Sequence, residues 1–214
     1  MPFTGRTFRA VLFDNDGTLV DSMPSAMRAW VKWAAEHDVP VSALEGIAGM
    51  PAAAIIAKVA PHLEPAAALA RITELELADT VGVVPLPGAI EAIRATFDCC
   101  AIVTSATADL AAARLGAAGI PTPTRLVTAD DITRGKPDPQ PFLIAAQQLG
   151  VDPQQCLVVE DAPSGITSGQ AAGCATLALT TSTPAGELHA DLVVATLADV
   201  VLERTPTGIR VRRA

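Results

Sequence analysis

Six short apolar runs constrain the fold of this chain most: "RAVLF" at 9–13, "CCAIVT" at 99–104, "RLVT" at 125–128, "CLVVE" at 156–160, "ATLAL" at 175–179 and "DLVV" at 191–194. None alternates with polar residues as a strand with one wet face does. Runs that are apolar throughout suit strands covered on both faces, which is the situation in a parallel sheet. Residues with apolar positions at helical spacing follow each run, and strands alternating with helices imply a layered α/β fold. One helix has readable ends: it starts near Asp138, keeps its prolines in the first turn of "PQPFLIAAQQL" and stops at Gly150.

Residues 21–80 break the alternation. They contain no convincing strand, and "PSAMRAWVKWAAEHDV", "PAAAIIAKVAPHL" and "PAAALARITELELADTV" each carry apolar positions at helical spacing behind an opening proline. The second strand therefore begins only at residue 99, far beyond the few-residue link usual between a strand and its helix. "VGVVPLPGA" at 81–89 returns the chain to the sheet. Residues 1–20 and 81–214 are expected to form the α/β core, and 21–80 an all-helical subdomain inserted after the first strand. An insertion there sits over the carboxyl end of that strand, where ligands bind in open α/β sheets, so it is a candidate lid.

The 214 residues, half of them apolar, are enough for one core with a modest insertion. No apolar stretch is long enough to span a bilayer, and "MPFTGRTFRA" lacks the apolar middle of a signal peptide, so a cytoplasmic protein with no membrane partner is expected. A formal net charge of −8 argues against a nucleic-acid partner. The "RVRR" at 210–213 reads as a solvated tail. Cys99, Cys100, Cys156 and Cys174 lack C-x-x-C spacing and read as small core residues in a reducing compartment. His37, His62 and His189 have no partners at ligand spacing and read as solvated or structural. A monomer or weak dimer is expected.

The strand ends carry the chemistry. Strand one runs into Asp14, Asn15, Asp16, Gly17 and Thr18; strand two ends in Thr104, Ser105 and Ala106, hydroxyls and amides at a helix start that suit an anion. "ADDITRGKPDPQPF" puts Lys136 in a loop ahead of a helix, and strand four ends in Glu160 and Asp161. Four carboxylates converging on one crevice disfavour joint ionisation. A hard divalent cation resolves this: Mg2+ takes oxygen ligands and combines one or two carboxylates with a substrate phosphate, which Lys136, the hydroxyls and the amides would then hold.

"DNDGTLVDS", "IVTSAT", "GKPDP" and "VVEDAPSGI" stand in the order, and at the strand ends, that the haloacid dehalogenase superfamily uses. The likeness covers nearly the whole chain, and the wording of "RGKPDPQPF", "EDAPSGI" and "PLPGA" is similar to the sugar-phosphate and polyol-phosphate phosphatases, with β-phosphoglucomutase as a relative. The resemblance implies a Rossmann-like parallel-sheet core with a C1-type helical cap. It implies that Asp14 is a nucleophile forming an aspartyl-phosphate and Asp16 the general acid and base. Asp14, the Asp16 backbone carbonyl and Asp161 would hold Mg2+, with Glu160 acting through a water. Lys136 would neutralise charge on Asp14 and the phosphoryl group, and Ser105 or Thr104, with the Ala106 amide, would bind the phosphate; the Gly17 amide is a further candidate.

The implied function is Mg2+-dependent hydrolysis of small phosphorylated metabolites. Two alternatives stay open: a phosphomutase, and a non-catalytic phosphometabolite-binding module on the same fold. Asp16 together with Asp161 argues against haloacid dehalogenation. Trp30 and Trp33 read as core packing ahead of a sugar platform. After the "AG" at 48–49, where many sugar-phosphate members carry a basic residue, this chain has Met50; Asp21, Met50 and Glu74 are the candidate specificity residues of the cap.

Overall fold

The computed structural model describes residues 3–47 and 50–214; Ala48 and Gly49, the pair noted ahead of Met50, lie outside the described residues. In chain order the strands and helices are β1 (Ala10–Phe13), β2 (Val20–Asp21), α1 (Met23–Glu36), α2 (Ala52–Val59), α3 (Pro65–Ala78), β3 (Val84–Pro85), α4 (Ala89–Thr96), β4 (Cys100–Val103), α5 (Ala108–Ala117) and β5 (Leu126–Val127). There follow α6 (Gln140–Leu149), β6 (Cys156–Glu160), α7 (Pro163–Ala171), β7 (Ala175–Leu179), β8 (Leu192–Val194), β9 (Val200–Thr205) and β10 (Gly208–Arg213). Six of these strands form one sheet in the order β5-β4-β1-β6-β7-β8, with every pairing parallel.

The unbroken apolar runs are explained by the two cores on either side of this sheet. Val11 and Phe13 of β1, Cys100 and Ile102 of β4, and Leu157 and Val159 of β6 enter one apolar cluster. Their neighbours Ala10, Leu12, Ala101, Val103, Cys156 and Val158 enter the other, as side chains alternating across a strand require. The register sets Phe13 beside Ile102 and Val159, so Asp14 and Glu160, which follow directly, and Thr104, one residue beyond Val103, emerge along one edge of the sheet. Asp14 N–H still donates to the Val159 carbonyl at 2.9 Å, which ties the start of the turn to the ladder.

Helices α1 to α3 bury a cluster of their own, with Trp33, Ile56, Ile72 and Leu75 at its centre. The Trp33 indole N–H donates to the Ala68 carbonyl at 3.1 Å, joining α1 to α3 and satisfying a polar group that burial would otherwise strand. A short pairing not read from the sequence lies at the borders of the 21–80 region: Val20–Asp21 pairs antiparallel with Val84–Pro85, so the chain segments entering and leaving the helical layer are bonded to each other. Two residues are too few to give a periodic signal.

The "RVRR" stretch is a strand, not a tail. In β10, Ile209 and Val211 are buried while Arg210 and Arg212 are exposed, and the strand pairs antiparallel with β9. An Ile209–Phe8 bridge docks this hairpin at the foot of β1. The alternation was obscured by long basic side chains on the wet face. At the helix read from Asp138, α6 starts at Gln140, with the Asp138 carboxylate accepting the Gln140 N–H at 2.9 Å; Gly150, left-handed at φ +66°, closes it.

Candidate active site

At the carboxyl edge of the sheet, Lys136 reaches in from the loop between β5 and α6. Its ammonium donates to Asp14 Oδ1 at 2.5 Å, Glu160 Oε1 at 2.7 Å and the Val103 carbonyl at 3.0 Å. That loop is pinned on both sides: Gln140 Oε1 accepts the Thr133 and Arg134 N–H groups, and Ser168 Oγ of α7 donates to the Asp138 carbonyl at 2.6 Å. Glu160 Oε2 accepts the Asp161 and Ala162 N–H groups, each at 3.0 Å, so both of its oxygens are committed.

Asp14, Glu160 and Asp161 are all buried and each brings a carboxylate oxygen within 4.8 Å of the others. Burial raises the Asp14 carboxyl well above its ordinary value; Lys136 opposes this, and Glu160 and Asp161 add to it. Asp161 is pushed up to about 7 by burial and by Glu160. Burial alone would lower the Lys136 ammonium, but Asp14 and Glu160 overcome that and the net direction is upward. One ammonium among three buried carboxylates leaves a deficit of positive charge in an all-oxygen setting. A hard divalent cation such as Mg2+ fits this donor set.

Two glycines admit these carboxylates. Gly17 has φ +85°, and a Cβ there would lie 2.0 Å from Asp161 Oδ2. In α7, a Cβ on Gly165 would lie 1.7 Å from Glu160 Oε1. Gly165→Ala gains helix propensity of roughly 1 kcal/mol, yet it must push the Glu160 carboxylate off Lys136. The expected outcome is a turnover loss of about tenfold or more with little gain in melting temperature, read by steady-state kinetics and thermal melts. Unchanged kinetics would mean that Glu160 does not need its position.

Asp16 is half-buried and held by several groups. Ser22 Oγ donates to its Oδ1 at 2.6 Å and Arg114 Nη1 donates to the same oxygen at 2.9 Å; Asn15 Nδ2 donates to Oδ2 at 3.1 Å. Thr104 is buried, with its hydroxyl 3.5 Å from Asp16 Oδ2, and it accepts the Ala106 N–H at 3.1 Å. Ser105 is exposed and also borders the cavity. The Gly17 N–H donates to the Val20 carbonyl at 2.9 Å and is committed there.

Above these groups lies a cavity of about 480 Å³ between the sheet edge and the helical layer. Asp14, Asp16, Thr104, Ser105, Ala106, Lys136, Glu160 and Asp161 all line it. So do Asp21, Met50 and Trp30; Trp30 is at the same time packed into the buried cluster of the helical layer, as Trp33 is. Glu74 does not belong to it: exposed on α3, it pairs with Arg71 at 2.6 Å. Its neighbour Glu76 faces the cavity instead, because two residues further along a helix turn the side chain to a different face.

Arg114 was not apparent from the sequence. It is 7% exposed on α5, and its guanidinium joins Asp16 Oδ1 to Glu76 Oε1, at 2.9 and 3.2 Å, so it connects the sheet edge to the helical layer. The signal was its position on the stripe of Leu110, Ala111 and Leu115, where a charged residue needs buried partners.

The arrangement matches known proteins along almost its full length. A haloacid dehalogenase-like hydrolase family model matches residues 8–173. Hexitol phosphatase A of Escherichia coli K12 is 39% identical over 208 residues, covering 94% of this chain and 96% of that protein. Validoxylamine A 7'-phosphate phosphatase of Streptomyces hygroscopicus subsp. limoneus is 35% identical, covering 90% of this chain and 96% of its own. Among solved structures, a hydrolase from Pseudomonas syringae superposes with a TM-score of 0.77 at 26% identity, covering 88% of this chain and 94% of that one. With the parallel sheet and the carboxylate–lysine cluster at its carboxyl edge, these matches make the chain a member of the haloacid dehalogenase-like hydrolase family.

Proposed function

We propose that this protein is a Mg2+-dependent phosphatase of small sugar or polyol monophosphates, working through a phosphoryl group carried on Asp14. The observation that carries this reading is the Asp14–Lys136–Glu160–Asp161 cluster, buried beneath a cavity of about 480 Å³. The hexitol phosphatase and validoxylamine-phosphate phosphatase relatives support the substrate class. Residues 1–20 and 81–214 serve as the catalytic core and 21–80 as the cap that closes over the ester.

Lys136 occupies Oδ1 of Asp14 and thereby leaves Oδ2 as the attacking oxygen. As the Asp14–phosphorus bond forms, the bond from phosphorus to the leaving oxygen breaks, and Asp16, entering the step as the protonated acid in place of the carboxylate that pairs with Arg114, gives that oxygen its proton. Water then attacks the aspartyl-phosphate, Asp16 takes back a proton, and phosphate leaves with Asp14 restored. Thr104 and Ser105 flank the phosphoryl position, with Thr104 already oriented by the Ala106 N–H. Asp14, Asp161 and the Asp16 backbone carbonyl would hold Mg2+, which would supply positive charge to the phosphoryl group. Glu160, with both oxygens engaged, holds Lys136 and the Asp161 backbone in place.

The test is phosphate release from a panel of sugar, polyol and nucleotide monophosphates, with Mg2+ and in excess chelator. Chelation, and separately Asp161→Asn, is expected to lower release on the order of 100-fold, since each removes charge that faces the transferring group. Full turnover in chelator would overturn the metal assignment.

A further inference from the structure

The cavity has two unlike halves. Its floor holds the carboxylates of Asp14, Asp16, Glu160 and Asp161, while the helical layer contributes an apolar wall of Met27, Trp30, Ile47, Met50 and Ile55. Asp21 and Glu76 bring two more carboxylates, so among the described residues six carboxylates line the cavity against two cations, Lys136 and Arg114. Both cations are committed. Lys136 lies 2.5 Å from Asp14 and 2.7 Å from Glu160, and Arg114 lies 2.9 Å from Asp16 and 3.2 Å from Glu76.

A divalent cation and one phosphoryl dianion offset each other, so they leave the floor net negative and bring no positive charge to the wall. A second anionic group on the substrate would exchange its hydration for thioether, indole and aliphatic surface, or would face Asp21 and Glu76. Either outcome buries a charge without a partner. An uncharged hydroxylated body meets no such cost: its carbon skeleton can lie on Trp30 and Met50, and a hydroxyl can donate to Glu76, one of whose oxygens is already oriented by Arg114.

Resting on the phosphatase reading above, we infer that the site takes phosphate monoesters whose remaining body is uncharged, reads that body's hydroxyls with Glu76, and rejects bisphosphates and phosphorylated carboxylic acids. The same charge count works against a phosphomutase cycle, in which a sugar bearing its own phosphate must share the cavity with a second phosphoryl group.

The experiment compares matched pairs: fructose 1-phosphate with fructose 1,6-bisphosphate, and glycerol 3-phosphate with 3-phosphoglycerate. For the wild-type protein in Mg2+, kcat/KM is expected to fall about 30-fold or more from the neutral-bodied to the anionic-bodied member of each pair. Isothermal calorimetry with the Asp14→Asn variant reads the same preference as binding, independently of turnover. Met50→Lys places a cation on the wall and is expected to narrow the fructose gap by about fivefold. Equal and measurable kcat/KM within both pairs, an unchanged gap in Met50→Lys, or calorimetric binding of neither member would overturn the inference. Absent phosphate release from every ester, with the calorimetric preference intact, would overturn the phosphatase reading and leave this one standing.

Discussion

With Asp14 as the proposed nucleophile, Asp14→Asn is expected to abolish phosphoenzyme formation and to lower turnover about 10⁴-fold or more, because the variant lacks the attacking oxygen. Its neighbour should fail differently. Asp16→Asn leaves the nucleophile and its Lys136 contact in place but removes the proton donor, so the loss depends on how much protonation the leaving group needs. With a nitrophenyl phosphate, whose leaving oxygen is a weak base, phosphoenzyme should still form at a substantial fraction of the wild-type rate. With a sugar phosphate it should form far more slowly, and in both cases its hydrolysis should be slow. Rapid-quench trapping with the two esters makes the comparison. Equal proportional losses, or a trapped phosphoryl group on residue 16 of the wild-type protein, would mean that the two roles are assigned to the wrong carboxylates.

The structure explains why this pair was legible in the sequence while some of its surroundings were not. An apolar run with both faces buried marks β1 without reference to any partner, and the turn that follows must then deliver Asp14 and Asp16 to the sheet edge. Lys136 was legible because its loop immediately precedes a helix with a clear proline and glycine signature. Arg114 showed locally only as a charge on the apolar stripe of α5, and neither its role nor that of Glu76 was legible, because both lie in a contact between α5 and α3 whose mutual approach no local pattern encodes. Glu74 and Glu76 are the same residue type two positions apart on one helix; only the packing of α3 decides which faces the cavity and which pairs with Arg71 on the surface. Gly165 was hidden for a related reason. Nothing near it in sequence reveals that a carboxylate from the preceding strand occupies the space its side chain would take.

Lys136→Met is the second substitution expected to have a large effect, and it separates the catalytic from the structural demand on the cluster. The methionine side chain fills much of the same volume, so what is lost is the ammonium lying 2.5 Å from Asp14 and 2.7 Å from Glu160. Both carboxylates are then buried beside Asp161 with no cation among them, so one must take up a proton or remain an unpaired buried charge, which costs up to about 3–5 kcal/mol. In chelator the melting temperature should therefore drop by several degrees or more, by roughly the shift that such a loss brings in a domain of this size. Saturating Mg2+ should return part of that loss, and a larger increment than it gives the wild-type protein, because the added cation now meets a greater deficit of positive charge. Turnover should not follow the melting temperature upward. With the donor that orients Asp14 Oδ1 removed and the charge opposite the phosphoryl oxygens reduced, kcat should remain about 10³-fold below wild type even where Mg2+ restores stability. A melting temperature unaffected in chelator would mean that the three carboxylates are not jointly ionised in the wild-type protein, and recovery of kcat in step with stability would confine Lys136 to a structural role.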